Sequence, residues 1–214
     1  MRTHWIDSTP ARATFWIVLV LTVLAAALLT TPARSTGPAA PAGARMPAYD
    51  TEGRLLLPED HRRWVFVGSS LALSYAGGRP SDAMGHEMFH EVLMEPSAYD
   101  HWVETGTFRE GTMFVLMLHD TGEGVLPSRS GRFAAAILGV EMAVKDSARF
   151  EGSWAYFGFG GMGGIRAAAA AEERESCQAC HAEHAAHDNV FLQFYPLLVE
   201  AGPEGALPSA DPAR

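Results

Sequence analysis

The chain has 214 residues, is 48% hydrophobic and carries a formal net charge of −9, enough apolar content for one compact domain with a core. Setting aside residues 1–47, which hold four arginines and one aspartate, leaves 12 basic and 24 acidic side chains, a net charge of −12. A surface that acidic repels phosphate backbones, which excludes nucleic-acid binding, and it suits an exported protein or one that meets a basic partner.

The first feature along the chain is the apolar run FWIVLVLTVLAAALL, Phe15 to Leu29, preceded by Arg2 and Arg12. It is short for a bilayer core that needs about 20 residues, and its length and flanks are those of a secretory signal. No small-x-small site is ideally placed for cleavage, so an uncleaved N-terminal anchor is the alternative. The Pro-, Ala-, Gly- and Ser-rich segment that follows is expected to be a flexible leader. The expected organisation is signal and leader over 1–47, one domain over 48–200, and a polar tail over 201–214.

Within the domain, PEDHRRWVF opens with a turn and a charged, helical stretch, and WVFVGSSLALSY follows as a strand of β-branched and aromatic residues. AGGRPSD breaks it. MFHEVLM (Met88–Met94) is a second strand. PSAYDHWVETG is a short helix with Pro in its first turn, Tyr99, Trp102 and Val103 on one face, and Gly106 as its stop. TMFVLML (Thr112–Leu118) is the most apolar strand, and HDTGEGVLPSRSG a loop. RFAAAILGVEMAVKD supplies another strand or pair of strands, and WAYFGFG (Trp154–Gly160) an aromatic one. The alanine- and charge-rich IRAAAAAEERES is expected to be helical. DNVFLQFYPLLVE packs aromatic side chains on the core. The whole reads as mainly β with peripheral helices (α+β), antiparallel by its short connections.

Both cysteines of the chain lie in ESCQACHAEHAAHDNV, as Cys177-Gln178-Ala179-Cys180-His181. A disulfide between them closes so small a loop that it restrains little of the unfolded chain. Two thiols at this spacing can instead each add across one vinyl group of a haem, and the adjoining imidazole then ligates the iron. A thioredoxin-like redox pair uses the same spacing but needs a βαβ setting and no following His. A zinc site recruiting Cys177, Cys180 and two of His181, His184 and His187 lacks the two separated arms usual for structural zinc. Covalent attachment of one haem c through Cys177 and Cys180, with His181 as the iron ligand, is therefore the expectation. The glycine-rich GFGGMGG lacks a Lys-Ser/Thr partner and an acidic ribose contact. It reads as a tight turn rather than a phosphate loop.

The order RRWVFVG, EPSAYDHWVETGTFREGTMFV, ILGVEMAVKDSARF, WAYFGF and CQACHAEHAAHDNVFLQFYP resembles the cytochrome P-460 family, which includes the P-460 enzymes and the beta-type cytochromes c-prime. The resemblance covers roughly residues 50–198. It implies a periplasmic, mostly β-sheet homodimer with one c-type haem, its five-coordinate iron open on the distal side. Cys177 and Cys180 match the family's thioether cysteines and His181 its proximal ligand. The P-460 enzymes carry a lysine, on the strand matching GTMFVLML, that cross-links to the porphyrin and supports hydroxylamine oxidation; here that position is Leu116. The chain's single lysine, Lys145, lies in the separate AVKDS motif. The resemblance is thus closer to the uncross-linked c-prime-beta type.

Strand alternation puts Phe114, Leu116 and Leu118 on one face, and an apolar cap of this kind suits NO or CO. Phe89 and His90 are further candidates for its lining, with ordinary core (Phe89) and an edge position (His90) as their alternatives. His187 is a candidate base for proton transfer. Three functions follow: a gas-binding cytochrome for nitrosative defence, carriage or sensing; a hydroxylamine- or NO-oxidising enzyme without the lysine link; and a six-coordinate electron carrier, with a periplasmic redox partner, in which Met113, Met117 or a His closes the iron site.

Overall fold

A computed structural model describes residues 43–73, 87–161 and 163–204. The signal segment, most of the leader, the AGGRPSD break and the end of the tail lie outside the described residues. Arg45, inside the stretch assigned to the leader, packs on the domain: its guanidinium pairs with Asp60 at 2.7 Å and its N–H donates to Ser97 Oγ.

The framework is an antiparallel meander. Strands β2 (Val65–Leu71), β3 (Phe89–Met94), β4 (Met113–Glu123), β5 (Arg132–Lys145), β6 (Trp154–Gly161) and β7 (Gly164–Ile165) pair in chain order. A short pair, β1 (Leu55–Leu56) with β8 (Ala168–Ala169), lies apart from it. The fold is thus mainly β with helices at the periphery, as the residue pattern predicts. No helix among the described residues is long and apolar enough to cross a membrane.

Two expectations fail locally. The loop predicted after Leu118 begins later, because β4 runs on to Glu123 and pairs with β5 as far as Arg132. The predicted IRAAAAAEERES helix is absent: Ala168 and Ala169 pair with Leu56 and Leu55, and Ala171 bridges Phe157. Alanine's helix preference is worth only a few tenths of a kcal/mol per residue over most side chains. Here its small side chain lets the backbone lie against a neighbouring strand, with Ala169 buried.

Alternation divides the central sheet into two faces. Leu93, Met113, Val115, Met117, Val140, Met142 and Val144 belong to a hydrophobic core completed by Leu55, Trp64 and Ala169. On the other face, register sets Val92 beside Leu116, Leu116 beside Glu141 and Glu141 beside Gly158. The next row towards the start of β4 is Met94, Phe114, Ala143 and Tyr156. Beyond it Lys145 pairs with Trp154.

Helices close the ends of this second face. Helix α1 (Pro96–Thr105) starts on Glu95, whose carboxylate accepts the Ala98 N–H at 2.9 Å, and stops at Gly106 in the left-handed conformation (φ 67°). Such a cap contributes about 1 kcal/mol. Glu95 also forms a buried ion pair with Arg109 at 3.3 Å. Trp102, fully buried, stacks on Phe108 and donates from Nε1 to the Leu198 carbonyl of α3 (Pro196–Ala201) at 2.8 Å. Val103, placed on the same face from sequence, is exposed; Ala98 and Trp102 form the inward stripe. The turn Leu192–Phe194 just before α3 lies so close to β2 that a Cβ on Gly68 meets the Phe194 carbonyl at 2.7 Å. Only glycine fits there.

Candidate haem-binding site

The second face of the sheet opens into a cavity of about 580 Å³, within the range of sites that hold a cofactor-sized ligand. Phe114, Leu116 and Leu118 of β4 line it, together with Val92 and His90 of β3. Cys177, Cys180 and His181 line the same cavity. Phe89 does not: it alternates with His90 and points to the other side of β3. His90 is half-buried and faces the cavity, and burial holds its imidazole below the usual histidine pKa, so it is neutral near pH 7.

The motif folds as the short helix α2 (Gln178–His184), with Cys177 as the residue before its first turn. The His181 N–H donates to the Cys177 carbonyl at 3.1 Å, so Cys177, Cys180 and His181 stand at i, i+3 and i+4 on one side of a single turn. No disulfide joins the two cysteines, and burial raises the pKa of Cys177.

His181 is held on three sides. Its ring lies 4.3 Å from Tyr156 and 4.3 Å from Phe191, centroid to centroid. Its Nδ1 is 2.8 Å from the Asn189 carbonyl. A carbonyl only accepts, so Nδ1 carries the hydrogen and Nε2 keeps its lone pair. Burial lowers the His181 pKa, and the Asn189 carbonyl opposes that shift only in part. The ring is therefore neutral near pH 7, the form that binds a metal.

The Asn189 carbonyl is presented by a hairpin turn. His187 and Val190 bridge each other, with Asp188 (φ 43°) and Asn189 (φ 59°) at its two central positions. Two successive positive φ angles define a type I′ turn, for which Asp and Asn are suited. His187 lies at its start, but its ring packs edge-on against Trp102 (5.6 Å) and Phe108 (5.8 Å) and is not part of the cavity lining. The role of base assigned to it from sequence is therefore not supported by its position. His184 ends α2, largely exposed. Met113 and Met117 sit in the core on the opposite face, so neither can close the iron site from β4.

Sequence reasoning missed two carboxylates. Glu141, the cross-strand neighbour of Leu116, and Glu172, which follows the alanine run, both line the cavity. Burial and then the charge of Glu172 raise the Glu141 pKa. Glu172 passes close to β6: a Cβ on Gly158 meets its Oε1 at 2.8 Å. The available signal was position, since Glu141 interrupts an otherwise apolar strand at the parity of Leu116. Lys145 stays out of the cavity, its Nζ bonded to Asp188 Oδ2 (2.6 Å) and the Phe108 carbonyl (2.9 Å).

The residues fit a haem. The cavity places two thiols and a neutral imidazole on one helical turn, with Nε2 unengaged, next to an apolar wall. Glycines at 68 and 158 remove side chains from that wall. Among the described residues no group of three or more His, Cys, Asp and Glu is arranged to hold a bare metal ion.

A family model described as Cytochrome P460 matches residues 58–192 of the chain. No curated protein matches it.

Proposed function

The chain belongs to the cytochrome P460 family of haem proteins, and from that premise we propose that it is a mono-haem c-type cytochrome whose iron binds a small gas such as NO or CO. Cys177 and Cys180 hold the macrocycle through thioethers, and His181 ligates the iron through Nε2. Bound in this way, the haem supplies an iron centre able to take a diatomic ligand or exchange an electron. The domain works in the periplasm, a placement supported by the apolar segment near its N-terminus.

The observation that carries this reading is the direction of Leu116. It faces the cavity between Phe114 and Leu118, while the chain's single lysine is bonded to Asp188. The wall is aliphatic and aromatic where a lysine link to the porphyrin would be needed for P-460 chemistry. The apolar part of the lining, Phe114, Leu116 and Leu118, offers bound O₂ little hydrogen bonding and favours the less polar ligands, while His90, Glu141 and Glu172 are polar side chains of the same cavity. The test is the optical spectrum of the matured protein. A high-spin ferric haem that binds CO and NO on reduction, with an ordinary c-type ferrous band, is the expected result. A low-spin haem indifferent to CO points to a second axial ligand, for which His90 supplies an imidazole in the cavity lining, and overturns the reading.

A second reading, oxidation of hydroxylamine or NO, draws on Glu141 and Glu172. Oxidising hydroxylamine releases protons, and a carboxylate pair on the cavity wall, with the Glu141 pKa raised by burial and then by Glu172, can accept them. Steady-state turnover of hydroxylamine with an electron acceptor, lost in Glu141→Gln, favours the enzyme. No turnover favours the gas-binding protein.

A further inference from the structure

The chain has one lysine, and it is spent neither in the cavity nor on the open surface. Lys145 ends β5 on the same sheet face as Leu116 and Ala143, beside Trp154. Its Nζ donates to Asp188 Oδ2 at 2.6 Å and to the Phe108 carbonyl at 2.9 Å. Trp154 donates from Nε1 to the other oxygen, Asp188 Oδ1, at 3.3 Å. Both oxygens of Asp188 are thereby held from the sheet. The lysine side chain is 17% exposed and the aspartate 29%, so the pair is screened less than a surface ion pair.

Asp188 is the first central residue of the turn that carries the proximal hydrogen bond. It and Asn189 hold left-handed backbone conformations, φ 43° and 59°, which Asp and Asn adopt more readily than other non-glycine residues. The turn is closed by the Val190 N–H on the His187 carbonyl at 2.8 Å. The next carbonyl but one, that of Asn189, takes the His181 Nδ1–H at 2.8 Å and faces the Tyr156 hydroxyl at 3.4 Å. A hydrogen bond on the far nitrogen of a ligating imidazole fixes the ring and strengthens its donation to the metal.

We propose that Lys145 is a positioning residue for the proximal ligand: by clamping Asp188 it sets the direction of the Asn189 carbonyl, and through that hydrogen bond the donor strength of His181 towards the iron. The inference rests on the haem reading above. It adds that the axial bond and the redox potential are tuned from the end of β5, through a turn, by a side chain that touches neither His181 nor the cavity. Asp188 is the intermediary.

The test compares holoprotein carrying Lys145→Met, Lys145→Arg and Asp188→Asn with the wild type. The readouts are the iron–histidine stretching frequency in ferrous resonance Raman spectra and the midpoint potential. The methionine and asparagine variants are expected to shift the stretch to lower frequency and the potential upward, as the proximal hydrogen bond slackens. Arginine, which keeps the charge, is expected to restore both towards wild type. Unshifted spectra and potential in Lys145→Met, even with a lowered melting temperature, overturn the inference and leave the lysine a purely structural role. Should that variant fail to fold, Asp188→Asn decides alone: a wild-type frequency there overturns the proposal. Wild-type protein without a haemochrome spectrum overturns the haem reading itself, whereas haem-bearing wild type with unshifted variants overturns only the clamp.

Discussion

The two faces of the central sheet are built from alternate residues of the same strands, yet they obey different rules. On one, Met113, Val115, Met117, Val140 and Val144 close against Leu55, Trp64 and Ala169 in a packed hydrophobic core. On the other, the row through Leu116 runs Gly68, Val92, Leu116, Glu141, Gly158. That row has two residues without side chains and a carboxylate. The closed face is complete in itself, because protein meets protein at interior density. The open face makes sense only with something else laid against it, and departures from apolar alternation mark where that something goes.

The comparison breaks most visibly at the motif. Replacing both Cys177 and Cys180 with serine is expected to abolish covalently bound haem, measured as haem stain retained after denaturing electrophoresis; retained stain removes the open face's reason for existing. Next in size is the contrast between faces. Met113→Ala on the closed face is expected to lower the unfolding free energy by about 2–5 kcal/mol, the cost of a cavity in a packed core. Leu116→Ala, on a wall already adjoining open space, is expected to cost clearly less while changing CO association kinetics. Equal losses in urea denaturation would mean the faces are packed alike.

A smaller effect separates the two glycines of the open face. Gly68→Ala drives a Cβ against the Phe194 backbone carbonyl, and overpacking of this kind costs about 1–3 kcal/mol. Gly158→Ala meets only the end of the Glu172 side chain, which can swing away, so its melting temperature is expected to stay nearer wild type. The smallest effect concerns pH. Glu141 binds its proton more tightly folded than unfolded, because burial and then Glu172 raise its pKa. Its contribution to stability is therefore full below the ordinary glutamate value of about 4.3 and is lost as pH rises through the raised value. Denaturation midpoints at about pH 4 and about pH 8 are expected to show Glu141→Gln gaining on wild type at the higher pH; parallel behaviour removes the carboxylate from the buried wall.

The same contrast explains which parts of the molecule are legible in its sequence. Continuous apolar runs between turn signals, such as Met113 to Leu118, announce themselves as strands, and a five-residue motif whose residue types and spacing together carry its chemistry is equally plain. Phe89 and His90 were harder, because adjacent residues on a strand end up on opposite faces and only register decides which one lines the cavity. The alanine run misled because its propensity is a weak preference that pairing with Leu55–Leu56 overrides. His187 lies six residues beyond His181, a spacing that says nothing of direction, and the turn at 187–190 carries its ring to Trp102. Glu141 and Glu172 lie far apart in sequence and meet only through the pairing of β5 with β6.

The left-handed pair Asp188–Asn189 has one more consequence. Its carbonyl reaches an imidazole eight residues back along the chain, through a helical end and a tight reversal with no slack between them. The interval from His181 to Asn189 therefore acts as a ruler: inserting or deleting a single residue swings the peptide plane away from the ring. The stretch has to preserve its length as well as the carboxylate at 188.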